Sequence, residues 1–291
     1  MRGFFLAVAL ALATWSAAQA PETVIAVDLR PTILFGDGRN AWLRWYDAYA
    51  FPSTFGIKGR FSDGQRFAVT QRLAKQLSDG DPDQVDEFYL ENPGEWKIGK
   101  QAIPFGQKVL YRETAPALRL STQLLFEGAR VDFAVLDAGP GRPRGVIGRI
   151  GGNSGLSFAF GEHFAVQDTA LAILRQDVAG LGRGRGYQSM YGADTTIFAF
   201  PYTFEAEAIS LRQGHTPLDG DRDITDLRAG YQLPNGRDRL RVAWSHDWSD
   251  KIDSFRIDGE FVLANQVVLM PHIRFGSNGL GQYGTTLRFR L

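Results

Sequence analysis

The sequence predicts an all-β fold, a transmembrane antiparallel β-barrel of about 16 strands, with roughly 14 to 18 as the range. Three observations lead there. Runs of about ten residues alternate apolar with charged or small side chains, so each strand carries one apolar and one polar face. Short turns alternate with longer polar connections, the spacing of a barrel with tight turns at one end and loops at the other. Strand-like stretches take up more of the chain than a soluble domain ordinarily devotes to strands.

Composition sets the outer bounds. The chain has 291 residues, with 32 Lys plus Arg against 32 Asp plus Glu, so no net charge draws it to nucleic acid. It has no Cys, which excludes a disulfide scaffold, a thiol nucleophile and Cys-ligated metal. An apolar content of 44% is too low for a bundle of membrane-spanning helices and suits alternating strands. Aromatics at 12% and 33 Gly point the same way.

The N-terminus reads as a secretory signal peptide: basic Met1-Arg2, apolar Gly3 to Trp15, then small and polar Ser16 to Ala20. Cleavage after Ala18 avoids a proline next to the cut; cleavage after Ala20 would place Pro21 there. The expected organisation is signal peptide 1–18, an N-terminal lead-in 19–40 and a single barrel over 41–291. The apolar run falls short of the ~20 residues a spanning helix needs.

The strands are expected in order. Residues 41–49 supply the first. Thr54 to Phe61 sets Phe55, Ile57 and Phe61 against Lys58 and Arg60, turns at Ser62-Asp63-Gly64, and returns from Arg66 to Leu73. Thr70 to Leu77 is also readable as a helix. Val85 to Leu90 and Trp96 to Ile103 flank Asn92-Pro93-Gly94; Leu118 to Phe126 and Arg130 to Val135 flank Glu127-Gly128. Gly145 to Ile150 and Leu156 to Phe160 flank the turn at 151–155; Tyr187 to Ala199 and Tyr202 to Leu211 flank Pro201. From Leu227 to Leu291 five strands form a meander through short turns at Pro234-Asn235-Gly236, Ala264-Asn265-Gln266 and 276–279. A soluble sandwich shares this period; the charged polar faces and the Tyr and Trp near strand ends favour lipid.

The last strand places Tyr283, Leu287, Phe289 and Leu291 on one face, up to the final residue. That looks like the insertion signal by which bacterial outer-membrane barrels meet their assembly machinery, with Leu where Phe is usual.

A wider resemblance enters at Phe55 to Gly106. The stretch Trp96-Lys97-Ile98-Gly99-Lys100-Gln101-Ala102-Ile103-Pro104-Phe105-Gly106 resembles the strand-to-loop segment of bacterial outer-membrane porins related to the phosphate-selective group. Tyr191-Gly192-Ala193-Asp194 followed by Phe204-Glu205-Ala206-Glu207 looks like the matching hairpin. The resemblance covers about a third of the chain. It implies an outer-membrane location and a passive diffusion channel, often a homotrimer. It does not extend to phosphate selectivity, because that group's anion-binding arginines and lysines cannot be placed here residue by residue.

In such a barrel the polar faces line the lumen. The expected inner wall holds Lys58, Arg60, Arg119, Arg130, Arg239, Arg241, Arg256, Arg288 and Arg290, against Asp132, Glu205, Glu207, Asp258 and Glu260. The basic excess implies a weak anion preference for small hydrophilic solutes. Two connections are candidates to narrow the pore: 164–186, with Arg175, Arg183 and Arg185, and 104–116, with Lys108 and Arg112. Plain external loops are the simpler reading of each.

No enzyme, cofactor or metal site is expected. His163, His215, His246 and His272 are dispersed, and Ser245-His246-Asp247, being strand neighbours, point to alternate faces. Asp219 to Asp226 reads as a polar loop ahead of a Ca²⁺ site. The alternatives to a porin are a structural or adhesive barrel, or a soluble exported β-protein.

Overall fold

The computed structural model describes residues 21–36, 39–45, 51–73, 84–111, 114–124, 128–137, 139, 143–164, 187–213, 221–277, 279 and 281–291. The expected signal peptide and most of the 164–186 connection lie outside them.

Among the described residues every regular element is a strand: β1 (Glu22–Leu29), β2 (Thr32–Gly36), β3 (Arg39–Arg44), β4 (Thr54–Arg60), β5 (Arg66–Arg72), β6 (Val85–Asn92), β7 (Trp96–Ala102), β8 (Thr114–Gln123), β9 (Arg130–Asp137), β10 (Arg144–Gly151), β11 (Ser154–Glu162), β12 (Tyr187–Ala199), β13 (Tyr202–Gln213), β14 (Arg222–Gln232), β15 (Arg239–Asp247), β16 (Ile252–Ala264), β17 (Val267–Gly276) and β18 (Gly281–Arg290). All pair antiparallel with their neighbours, and the sheet closes on itself.

The 18 segments build a closed 16-strand wall, because two strands are interrupted. β18 pairs with β2 from Gln282↔Gly36 to Thr286↔Thr32, and with β1 at Phe289↔Leu29 and Arg290↔Asp28. These pairs share one register across the break. Leu287 donates to the Pro31 carbonyl at 3.0 Å, and Leu291 exchanges backbone bonds of 3.1 and 3.0 Å with Val27. β1 and β2 are therefore one strand, broken at Arg30-Pro31. Pro31 has no N–H to give the ladder, and the Arg30 N–H turns to the Ser53 hydroxyl at 2.7 Å. On the facing side β3 pairs with β2 and β4 with β1, so β3 and β4 also form one strand. Residues 45–53 are inserted between them, and the Ser53 N–H closes the insertion on the Trp45 carbonyl at 2.7 Å.

This revises two expectations while keeping the strand count. The barrel begins at Glu22, so 19–40 is not a lead-in. The stretch 41–49 is not a strand of its own: its first residues belong to the strand that continues as β4. The helical alternative at 70–77 gives way to strand as far as Arg72.

Burial separates the faces. Phe55, Ile57, Leu118, Leu120, Phe133, Val135, Leu240, Val242, Ile257 and Ile273 are all exposed large apolar residues. Alternate residues of the same strands are charged or buried, as in the pattern e-i-B-e-B-e-B-e of β9. So wide a belt of exposed apolar side chains matches a lipid-facing wall. Rings reinforce it between strands: Phe255 stacks on Phe275 at 5.5 Å and Phe35 on Tyr283 at 5.3 Å. Trp244, His246 and Trp248 form a column of rings, and the Trp244 indole donates to Asp253 at 2.8 Å.

The short turns after β4, β6, β8, β10, β12, β14 and β16, with Glu22 and Leu291, lie at one end of the wall; the long connections lie at the other, together with the short links after β2, β15 and β17.

Candidate functional site: an inward segment and the charged inner wall

Inside the barrel, the part of β9 to β14 toward the long connections does not present a uniformly polar wall. Leu136, Ile147, Ala159, Met190, Ile209, Leu211 and Ile224 occupy inner-face positions and are buried. The chain leaving β7 covers them. Ile103, Phe105, Leu110 and Tyr111, joined by Phe164, complete one apolar cluster. The Phe105 and Tyr111 rings meet edge-on at 5.4 Å, and Tyr111 meets Phe164 at 6.3 Å. Each such side chain gains about 1.5–3 kcal/mol from burial, so the segment 103–111 has an apolar reason to fold inward. Gly192 makes room for it: a Cβ there would meet the Phe105 ring at 2.6 Å.

A carboxylate then fixes the segment. Glu207 on β13 is 1% exposed and accepts the backbone N–H groups of Gln107 at 3.1 Å, Val109 at 3.0 Å and Leu110 at 3.1 Å. Gly106 (φ +51) and Lys108 (φ +64) take left-handed conformations. Turns of this kind aim successive N–H groups at one point and make a nest for an anion. At Gly106 a side chain would also collide with the Glu207 carboxylate, so only glycine fits. The Gly106 N–H donates to Ser157 Oγ at 3.0 Å. The Gln107 amide donates to Thr195 O and Thr196 Oγ1, both at 2.7 Å, and accepts from Arg228 at 2.8 Å. Arg228 is held in turn by Asp226 at 2.6 Å and Glu205 at 3.0 Å. Four strands therefore hold one short segment across the inner wall.

All fourteen charged residues expected on the inner wall lie on the face opposite the exposed apolar row. They do not share one environment. Lys58, Arg60 and Arg239 have no ion-pair partner among the described residues. Arg119 and Arg130 both grip Asp132, at 2.9 and 2.8 Å. Arg241 bonds Asp258 at 3.0 Å and Glu260 at 3.3 Å, and Arg256 bonds Asp258 at 3.1 Å. Arg288 and Arg290 meet Asp28 at 2.6 and 3.6 Å. Asp132, Glu207, Arg256 and Asp258 are at most 5% exposed. These four are covered anchors rather than residues presented to water: strand parity gives the face of a side chain but not what lies over it.

Of the two candidate narrowing segments, 104–116 supplies the inward fold, with Lys108 inside it. Arg112, Arg175, Arg183 and Arg185 lie outside the described residues. Lys108 is half-buried; loss of solvation pushes its ammonium below the ordinary lysine range, and the charge of Arg119 pushes it further down. Ser245 and His246 do point to opposite faces: Ser245 donates to Asp226 at 2.7 Å inside, and His246 meets Asp253 at 2.8 Å outside.

Sequence reasoning missed Asp28 and Arg30, which lay in the supposed lead-in, and the Arg149–Asp194 pair at 2.6 Å. It also missed the docking patch. Its signal was present: apolar residues at inner-face positions of six consecutive strands.

No protein-family model matches the chain, and no curated protein matches it in sequence. Solved structures do match its fold. Outer-membrane expressed OmpT of Vibrio cholerae superposes with a TM-score of 0.65 at 9% identity, over 94% of this chain and 99% of that one. An anion-selective porin from Comamonas acidovorans gives 0.64 at 11% identity, over 94% and 100%. The outer membrane channel DcaP of Acinetobacter baumannii gives 0.58 at 10% identity, over 94% and 98%. The fold is that of bacterial outer-membrane porins.

Proposed function

We propose that the chain is a porin of the bacterial outer membrane: a passive diffusion channel for small hydrophilic solutes, without enzymatic activity and weakly preferring anions. One observation carries the reading. The segment 103–111 crosses the inner wall and is held there by Glu207 through backbone hydrogen bonds. A barrel serving only as a surface scaffold has no use for a segment pinned inside it, whereas a channel needs a fixed narrowing to select by size. The names of the structural neighbours, an anion-selective porin and an outer membrane channel among them, support the same reading.

The anion preference rests on Lys58, Arg60 and Arg239 at the short-turn end. An excess of one sign at a mouth concentrates ions of the other sign, and Glu22 and Glu260, opposite Arg60 and Arg239 in the ladder, keep that excess small. The outward row of Tyr283, Leu287, Phe289 and Leu291 is proposed as the signal for the barrel-assembly machinery. A homotrimer is proposed on the family resemblance, and a V. cholerae OmpT structure described as the trimer form supports testing it.

The test is conductance across a planar bilayer by the pure refolded protein, with reversal potentials in a salt gradient. Stepwise conductance with a mild anion preference is expected. Absence of steps would remove the channel, and a clear cation preference would remove the charge assignment. Migration on gels that shifts with heating in detergent separates the barrel from a soluble β-protein.

A further inference from the structure

The inner face at the short-turn end carries a hollow that the channel reading leaves unused. Its volume is about 190 Å³, and it is lined by Arg66, Lys97, Arg119 and Arg130, with Glu91 and Ser121 between them and the turn Asn92-Pro93-Gly94 as its sill. A water molecule occupies roughly 30 Å³ in the liquid, so the space suits a small polyatomic ion with part of its hydration shell.

We infer that this hollow is a docking site for small doubly charged oxyanions, separate from the narrowing at 103–111. The first argument is charge. The four cations face two lining or underlying carboxylates, Glu91 and Asp132; behind them Glu87 acts on Lys97, and the neighbouring Lys108 offsets that charge. Asp132 is shared by Arg119 and Arg130, while Glu91 meets Lys97 at 3.3 Å and pairs across the ladder with Arg66. Each carboxylate neutralises half of its cation pair. The hollow is left with two positive charges, which one dianion balances.

The second argument is order. Asp132 is buried, and it takes Nε and one terminal nitrogen from each guanidinium: 3.0 and 2.9 Å from Arg119, 2.8 and 2.8 Å from Arg130. Ser121 adds a hydrogen bond of 2.6 Å to the same carboxylate. Both arginines are thus held in place before a ligand arrives, and their other terminal nitrogens remain to donate. A guanidinium carries five N–H donors, and side-on pairing with one carboxylate uses only part of them. Fixed donors from neighbouring strands suit a tetrahedral or multi-oxygen anion better than a single halide ion. The Lys97 ammonium is fixed as well, 3.2 Å from the centre of the Tyr89 ring. Ordinary surface arginines pay side-chain entropy when they bind; these have already lost it.

The probe is sodium sulfate, titrated calorimetrically into the full refolded chain in detergent against a sodium chloride background. Saturable binding at one site per barrel is expected. Arg130→Gln should weaken it about tenfold, the effect of losing one charged hydrogen-bonding partner. Lys97→Gln should do the same, and the double variant should abolish saturation. Arg130 is the safer single change for folding, since its side chain is 46% exposed. Arg237→Gln, in a turn at the same end, removes the same charge outside the hollow and should leave binding unchanged. Absence of saturable binding, or equal weakening by Arg237→Gln, would overturn the site.

Sulfate should also reduce chloride current more from the short-turn side than from the loop side; equal block from both sides would contradict the placement. This one-sided block rests on the channel reading, whereas the calorimetry does not. Binding without conductance would fail the channel and leave the site. Conductance without binding would do the reverse.

Discussion

Gly106 and Glu207 are mutually exclusive with any side chain between them. The glycine brings its backbone against the carboxylate, and the carboxylate fills the volume a Cβ would need. One residue is special for lacking atoms and the other for the place of its charge, and neither is explicable without its partner.

Gly106→Ala should therefore free the segment 103–111. The alanine would be strained at φ +51 and would overlap the carboxylate. Strain of this kind costs about 1–3 kcal/mol, and the overlap with the carboxylate also displaces the acceptor of three backbone N–H groups. The expected readout is larger and noisier single-channel conductance from a barrel that still shows its heat-dependent gel shift. An unchanged conductance would mean that the segment does not set the width.

Glu207→Ala leaves three backbone N–H groups without their acceptor. Each buried unsatisfied donor costs about 1–3 kcal/mol, so the segment should leave the wall and conductance should again rise. Because both substitutions break one contact, the double variant should differ little from either single one. Additive effects in that cycle would show that the two residues act separately.

Val242 tests the outer wall. It is 52% exposed and lies in the apolar row of β15. In a lipid-facing wall Val242→Arg should cost about 2–4 kcal/mol near mid-depth, read from folding equilibria in lipid vesicles. On a soluble protein's surface the same change would cost almost nothing.

Lys108 gives a dependence on pH with a definite sign. Its folded value lies below the ordinary lysine value of 10.5. Between those two values the unfolded chain binds more protons than the folded one, so stability rises with pH through the window. Below the window the cost of the buried charge is complete. Lys108→Met should thus be more stable than the parent at neutral pH, with the gap closing as pH climbs through the window. A gap independent of pH would show that the ammonium carries no such cost.

Asp28 is the acid at the seam of the wall. Arg30 and Arg288 bond it side-on at 2.8 and 2.6 Å, and Arg290 lies 3.6 Å away. Asp28→Asn should leave three cations facing one another where the first strand meets the last. A loss of about 1–3 kcal/mol is expected, seen as a lower temperature for the heat-dependent gel shift. An unaltered temperature would mean that backbone pairing alone seals the barrel.

The sequence displayed the wall more clearly than the contents of the lumen. Alternation placed Lys58, Arg241 and Asp258 on the inner face because a period of two leaves a strand no other choice. The first strand stayed hidden because Val24, Ile25, Ala26 and Val27 are apolar without alternation, and Pro31 breaks the strand a few residues later. Glu207 looked like one more charged wall position. Its role as an anchor depends on a backbone turn 100 residues earlier in the chain, and no local pattern records that pairing. The hollow at Arg119 and Arg130 was equally invisible, since it needs four inner positions from β5, β7, β8 and β9 whose mutual register no single strand records.

Glu207 grips main-chain atoms, and this separates the hanging of the segment from its dressing. The side chains of Lys108 and Val109 take no part in those hydrogen bonds. They can be exchanged for others while the ribbon that carries them stays where it is. For the channel proposed above, single substitutions at those two positions should change the solutes admitted without altering the fold.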